Sequence, residues 1–205
     1  MDVVSRKDIE AAASRINGRV RRTPVIQLEE AAFGIDAEIF LKLELFQHTG
    51  SFKPRGAFNR ILSADVPRAG VITASGGNHG QAVAYASRIL GIDAEIFVPE
   101  GSPALKAERI RRHGAALTVT GQYYDDAMDA CRARALETGA LLVHPYDHPD
   151  VVAGQGSVGR EMEDQLPDVD AILVAVGGGG LAAGVAAWYQ SERKVVTVEP
   201  ESCTT

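Results

Sequence analysis

Between residues 71 and 143 short apolar runs alternate with longer amphipathic stretches, and glycine marks most of the joins. Val71–Ala74, Ala94–Val98, 117–120 and 140–143 read as strands, being short and rich in β-branched or bulky apolar residues. Segments 81–90, 103–114 and 123–137 read as helices closed by Gly91, Gly114 and Gly139, with Pro103 opening the second. Strict alternation of strand and helix predicts three right-handed βαβ units and a mostly parallel sheet.

The flanks keep the same α/β texture. Upstream come a helix capped by Ser5, a strand over 38–43 and a helix beginning near Phe52. Downstream come a helix over 158–166, a buried strand over 171–176, a helix over 181–190 and a strand over 195–198. The expected architecture is α/β, with two three-layer domains built on mostly parallel twisted sheets. Residues 70–146 would be a smaller inserted domain, and 1–69 with 147–205 a larger one. Residues 171–189 carry no charge and approach the length of a membrane span. Four glycines at their centre, each costing about 1 kcal/mol in a helix interior, instead divide them into a strand, a loop and a helix.

Composition narrows the function classes. The chain has 205 residues, 45% hydrophobic and 23% charged, which excludes a disordered, collagen-like or disulfide-scaffold protein. Its 21 Lys and Arg against 27 Asp and Glu give a net charge of -6, so no basic footprint for nucleic acid is expected. The cluster Lys106, Arg109, Arg111 and Arg112 reads as a solvated helix face. Cys131 and Cys203 form no framework and suit a reducing compartment. The first ten residues lack the apolar core of a secretory signal, so a cytoplasmic location with no membrane partner is expected. Glycine, at 21 residues, exceeds its usual share, and most of the chemistry lies where it concentrates.

Three motifs stand out. Gly177-Gly178-Gly179-Gly180-Leu181 joins a strand to a helix, where free main-chain N–H groups and the helix dipole favour an anion such as phosphate. The same loop also fits the alanine variant of the dinucleotide fingerprint, Gly177-x-Gly179-x-x-Ala182, with Glu199 after the next strand, so a nicotinamide dehydrogenase is a second reading. Ser75-Gly76-Gly77-Asn78-His79-Gly80 adds a hydroxyl, an amide and an imidazole to a similar turn and reads as a carboxylate cradle. The plainer alternative makes Ser75 a helix cap and Asn78 a left-handed turn residue. In Gln47-His48-Thr49-Gly50-Ser51-Phe52-Lys53-Pro54-Arg55-Gly56-Ala57, a lysine between an aromatic and a proline is placed for Schiff-base chemistry, whereas a lysine alone is usually only solvated.

Together, and in their order along the chain, the motifs resemble those of the pyridoxal-phosphate enzymes of fold type II, the tryptophan synthase β-like family, in its threonine/serine dehydratase and serine racemase branch. The resemblance implies that Lys53 is the catalytic Schiff-base lysine and Phe52 a neighbour of the cofactor. It implies that Asn78 meets the phenolic oxygen of pyridoxal 5'-phosphate, that Ser75, Gly76, Asn78 and His79 hold the substrate carboxylate, and that Gly177, Gly178, Gly179, Gly180 and Leu181 bind the phosphate. The sulfur-amino-acid synthases of this fold look different at both lysine and asparagine motifs. Serine racemases carry a serine at the position of Gly76, so elimination from L-threonine or L-serine, giving a 2-oxo acid and ammonia, is expected rather than efficient racemisation. Serine racemase and 3-hydroxyaspartate dehydratase are the family alternatives. The metal site of some members pairs an acid matching Glu199 with a second acid, where this chain has Thr205, so no metal is expected. The resemblance further implies a small amino-acid substrate, a homodimer or higher oligomer, and a larger domain incomplete at its C-terminus.

Overall fold

A computed structural model describes residues 4–202. The Cys203 and Thr205 expectations lie outside them. The described chain is mixed α/β and holds three sheets. Helix α1 (Arg6–Ile16) starts at Ser5 in a reciprocal cap: the Asp8 N–H donates to Ser5 Oγ, and Asp8 Oδ2 accepts from the Ser5 N–H at 2.9 Å. Its Ile9, Ala12 and Ile16 recur at helical spacing and are buried. Strands β1 (Val25–Gln27) and β2 (Phe40–Lys42) form an antiparallel pair, and helix α2 (Lys53–Leu62) follows.

The central part alternates as the pattern predicts: β3 (Val71–Ala74), α3 (Asn78–Leu90), β4 (Ala94–Val98), α4 (Ala104–Arg112), β5 (Ala116–Val119), α5 (Tyr124–Thr138) and β6 (Leu141–Leu142). The four strands are parallel in the order β5-β4-β3-β6, which puts β3 in the interior of the sheet with all four residues buried. Phe58, Ile61, Val71, Val83, Ile96 and Ile110 form the core on one face, and Ile72, Phe97, Met128 and Cys131 pack on the other. Gly91 and Gly139 close α3 and α5 in the left-handed conformation, as expected of glycine stops.

Helix α6 runs from Pro149 to Gln165, nine residues earlier than the sequence pattern places its start. Gly154, Gly156 and Gly159 disguise it as a loop. They are close-approach positions: a Cβ at 154 would meet the Arg55 carbonyl of α2 at 2.5 Å, and one at 156 the side chain of Ile9 at 2.7 Å. The last sheet pairs β7 (Ala171–Ala175) with β8 (Lys194–Val198) in parallel around helix α7 (Gly180–Tyr189). β7 is not the fully buried strand expected from its composition. Ile172 and Val174 face the α6/α7 side, while Ala171, Leu173 and Ala175 are exposed, so only one face of this sheet is covered among the described residues. Also among them, no helix is long and apolar enough to cross a membrane.

Candidate active site

The carboxyl ends of β3, β4, β6 and β7 each lead into a loop that carries chemistry, the usual location of sites in open parallel sheets. Lys53 opens α2, with Phe52 as its cap residue and Pro54 fixing the first turn. Its Nζ donates to the Pro145 carbonyl at 2.8 Å and lies 5.2 Å from the centre of the Phe52 ring. Burial, without a paired carboxylate, lowers its pKa from 10.5 to about 8. The amine therefore reaches its free-base form far more readily than a solvated lysine.

What holds Lys53 in place is a buried charge cluster two residues downstream. The fully buried Arg55 guanidinium is bidentate to Glu44 (2.8 and 2.8 Å) and to Glu161 (2.7 and 2.9 Å), and Lys42 completes the group at 2.7 Å from Glu161. The two cations and two carboxylates balance. Desolvation opposes charge on Arg55, yet the two carboxylates raise its pKa above the ordinary value. Desolvation likewise works against ionised Glu161, but Arg55 and Lys42 prevail and its pKa is lowered. The cluster ties β2, the 3-10 turn at Glu44–Phe46, α2 and α6 together beneath the lysine. Thr49, four residues before Lys53, sits at φ 62, a left-handed strain in a non-glycine residue of the kind that marks functional turns.

The loop after β3 places Ser75, Gly76 and Gly77 ahead of α3. Ser75 Oγ accepts the Gly77 N–H at 3.2 Å, leaving its own proton free to donate. Ser75 is therefore not a cap on α3, and Asn78 is not a left-handed turn residue: it is the first residue of the helix, and it is exposed at the mouth of the loop. Gly80 is required, because a Cβ there would run into the Ser75 carbonyl. His79 points inward. Its Nε2 contacts Val143 O at 2.9 Å and Thr73 Oγ1 at 3.1 Å; the carbonyl fixes Nε2 as the protonated nitrogen, and Nδ1 is buried without a partner among the described residues. Complete burial lowers the pKa of His79 to about 3, so the ring is neutral. What His79 presents toward the loop is its backbone N–H; the imidazole braces β3 against the residues after β6.

The tetraglycine loop follows β7. Gly179 takes φ 82 and caps α7, a conformation that suits glycine. Gly178 is needed for a different reason: a Cβ there would occupy the ring of Tyr146, and one at Gly180 would sit 3.0 Å from Tyr146 Cα. Among the described residues no group accepts the N–H of Gly178 or Gly179. With the unpaired first N–H groups of α7 these form an anion cradle at a helix N-terminus. Leu181 is half-buried in the first turn of α7.

Residues 143–146 join these parts, although none of the three motifs includes them. Val143 meets His79, Pro145 accepts from Lys53, and Tyr146 lies against the glycine loop, its ring edge-on to His144 at 4.8 Å. The His144-Pro145-Tyr146 tripeptide directly after a strand is the signal that could have found them. One consequence is testable: Gly178→Ala forces the Tyr146 ring aside. This overpacking, about 1–3 kcal/mol, is expected to weaken pyridoxal phosphate binding about tenfold or more in a titration of the full-length protein.

An anion cradle and a desolvated lysine amine, separated by one dipeptide, fit a phosphorylated aldehyde cofactor. The molecule is thus an α/β protein that sets a desolvated lysine and a glycine loop together near the ends of parallel strands. Residues 16–205 match the family described as pyridoxal-phosphate dependent enzyme, and the chain belongs to that family, whose cofactor is pyridoxal phosphate. It is 40% identical over 205 residues to the L-threonine ammonia-lyase of Thermotoga maritima, covering 98% of this chain and 51% of that protein. Among solved structures, maize serine racemase superposes with a TM-score of 0.93 at 34% identity over 97% of this chain and 62% of that one. The T.th. threonine deaminase gives a TM-score of 0.89 at 39% identity, with 96% and 65% covered. The chain spans about half the length of the curated relatives it matches. The family assignment replaces the dinucleotide reading of Gly177, Gly179 and Ala182, which used only one of the three motifs.

Proposed function

We propose that the full-length protein is a pyridoxal-phosphate-dependent ammonia-lyase that converts L-threonine or L-serine to a 2-oxo acid and ammonia. The observation that carries this reading is the desolvated Lys53 amine held by Pro145, whose neighbour Tyr146 packs on the tetraglycine loop. Bound pyridoxal phosphate supplies the electron sink that stabilises negative charge at the substrate α-carbon. The N–H groups of Gly178, Gly179 and the start of α7, including Leu181, hold the phosphate, and Phe52 flanks the cofactor beside Lys53. Ser75, through its free O–H, and Asn78 hold the substrate carboxylate together with the N–H groups of the loop at Gly76 and His79. The Lys53 amine, unprotonated above its lowered pKa, takes the α-proton.

Similarity to L-threonine ammonia-lyases supports the choice of substrate. In this reading residues 70–146 are the smaller domain and carry the carboxylate loop, and the flanks carry the lysine and the phosphate loop. The test is direct. The full-length protein with pyridoxal phosphate is expected to give 2-oxobutanoate from L-threonine and pyruvate from L-serine, and borohydride is expected to fix the cofactor mass on the peptide containing Lys53. Cofactor bound to Lys53 without any 2-oxo acid from either substrate would overturn the lyase reading.

A further inference from the structure

At position 76 the sequence argument stops at a missing hydroxyl; the structure brings one in from elsewhere. A Cβ built on Gly76 would stand 2.8 Å from Ser102 Oγ and 3.4 Å from Ser102 Cβ. The Ser102 side chain therefore lies in the space that a side chain at 76 would claim. Its Oγ makes no hydrogen bond among the described residues. Its backbone, in contrast, is well fixed: Ser102 N–H donates to the Pro99 carbonyl at 3.0 Å, Glu100 N–H donates to the Gly121 carbonyl at 2.9 Å, and Pro103 caps α4 directly after it. A hydroxyl carried on a turn between two prolines is positioned rather than free to wander.

Strand order says which side of the substrate loop it occupies. β3, which feeds the 75–77 loop, lies between β4 and β6. Lys53 is bonded to Pro145, beyond the end of β6; Ser102 follows the end of β4. Neighbouring strands are about 4.8 Å apart, so the two groups flank the carboxylate loop from strand ends about 10 Å apart, a gap that suits one small amino acid.

We propose that Ser102 is a catalytic residue of this site, delivering a proton to the substrate α-carbon from the side opposite Lys53, so that the protein racemises serine as well as eliminating from it. The proposal rests on the lyase reading above. In the L-to-D direction the Cα–H bond breaks toward Lys53 Nζ and a new Cα–H bond forms with the Ser102 O–H proton. The resulting lysine ammonium and serine alkoxide are restored by proton exchange with water, and no oxidant or reductant is involved.

The test uses the full-length holoenzyme with L-serine, following pyruvate and D-serine together by chiral chromatography, with α-deuterium incorporation from D₂O as a parallel measurement. Wild type is expected to form D-serine. Ser102→Ala is expected to lower the D-serine to pyruvate ratio by about 10²-fold or more, the lower end of what a positioned acid contributes. Ser102→Thr, which keeps the hydroxyl, is expected to hold that ratio within about threefold of wild type. Purely structural damage from Ser102→Ala would reduce both products together and leave the ratio unchanged, which overturns the proposal. Pyruvate without D-serine in wild type overturns it as well, leaving the lyase reading intact. Neither product in wild type overturns the lyase reading itself.

Discussion

Replacing Lys53 with alanine in the full-length protein is expected to cut 2-oxo acid formation about 10³-fold or more and to abolish borohydride-fixed cofactor. Two roles are lost at once, covalent attachment of the cofactor and removal of the α-proton, and a positioned base alone is worth about 10²–10⁴. Lys53→Arg keeps the cation but cannot deprotonate in the working range, so it is expected to be nearly as inactive. The pH dependence follows from burial. Desolvation disfavours the ammonium form and brings the pKa down to about 8, so the free amine rises through pH 7 to 9 instead of near 10.5. The rate of borohydride-trappable cofactor capture by the apoprotein is accordingly expected to climb with a midpoint near pH 8. A midpoint near 10 would mean that the amine is solvated and that its burial against Pro145 does not persist in solution.

Local physics explains which parts of this architecture the sequence discloses. The βαβ series from Val71 onward is legible because alternation, short strands and glycine stops are local signals, and each coincides with the tertiary outcome at Gly91 and Gly139. The start of α6 is not, since Gly154 and Gly156 answer to the approach of α2 and α1, partners distant in sequence. β1 escapes for a similar reason: a three-residue strand is defined by its register with β2, Val25 opposite Lys42, rather than by its own composition.

In the site, the glycine loops and Lys53 announce themselves by residue type. His79 shows the limit of that approach. A histidine in a substrate motif suggests a ligand contact, but its ring is bonded to Val143 and buried, and only its N–H remains on the loop side. Tyr146 is reached through strand order, with the His144-Pro145-Tyr146 run after a strand as its one local signal, and in the proposal above Ser102 joins the site through strand order with no pattern in its own segment to mark it.

Arg55→Met is expected to be the most destabilising single substitution in the region, by about 3–5 kcal/mol in denaturant unfolding of the full-length protein, because removing one side of a buried ion cluster strands the other. In the wild type Glu44 and Glu161 each face two guanidinium N–H groups, and Lys42 alone cannot neutralise both. The sign of the pH effect separates this cause from a simple loss of packing. The Glu161 pKa is lowered in the fold, so its pairing contributes stability that is present above its unfolded value near 4.5 and is lost as pH falls through the lower folded value. In Arg55→Met the same carboxyl is desolvated and poorly paired, and its pKa moves up. On acidification from pH 7 the variant therefore sheds its buried charge before the wild type does, and the difference in stability between them is expected to shrink. A difference that stays constant from pH 7 to pH 4 would mean that shape, not charge, is what Arg55 supplies. Because Arg55 lies two residues from Lys53 in the first turn of α2, the same variant is expected to bind pyridoxal phosphate more weakly even at temperatures where it remains folded.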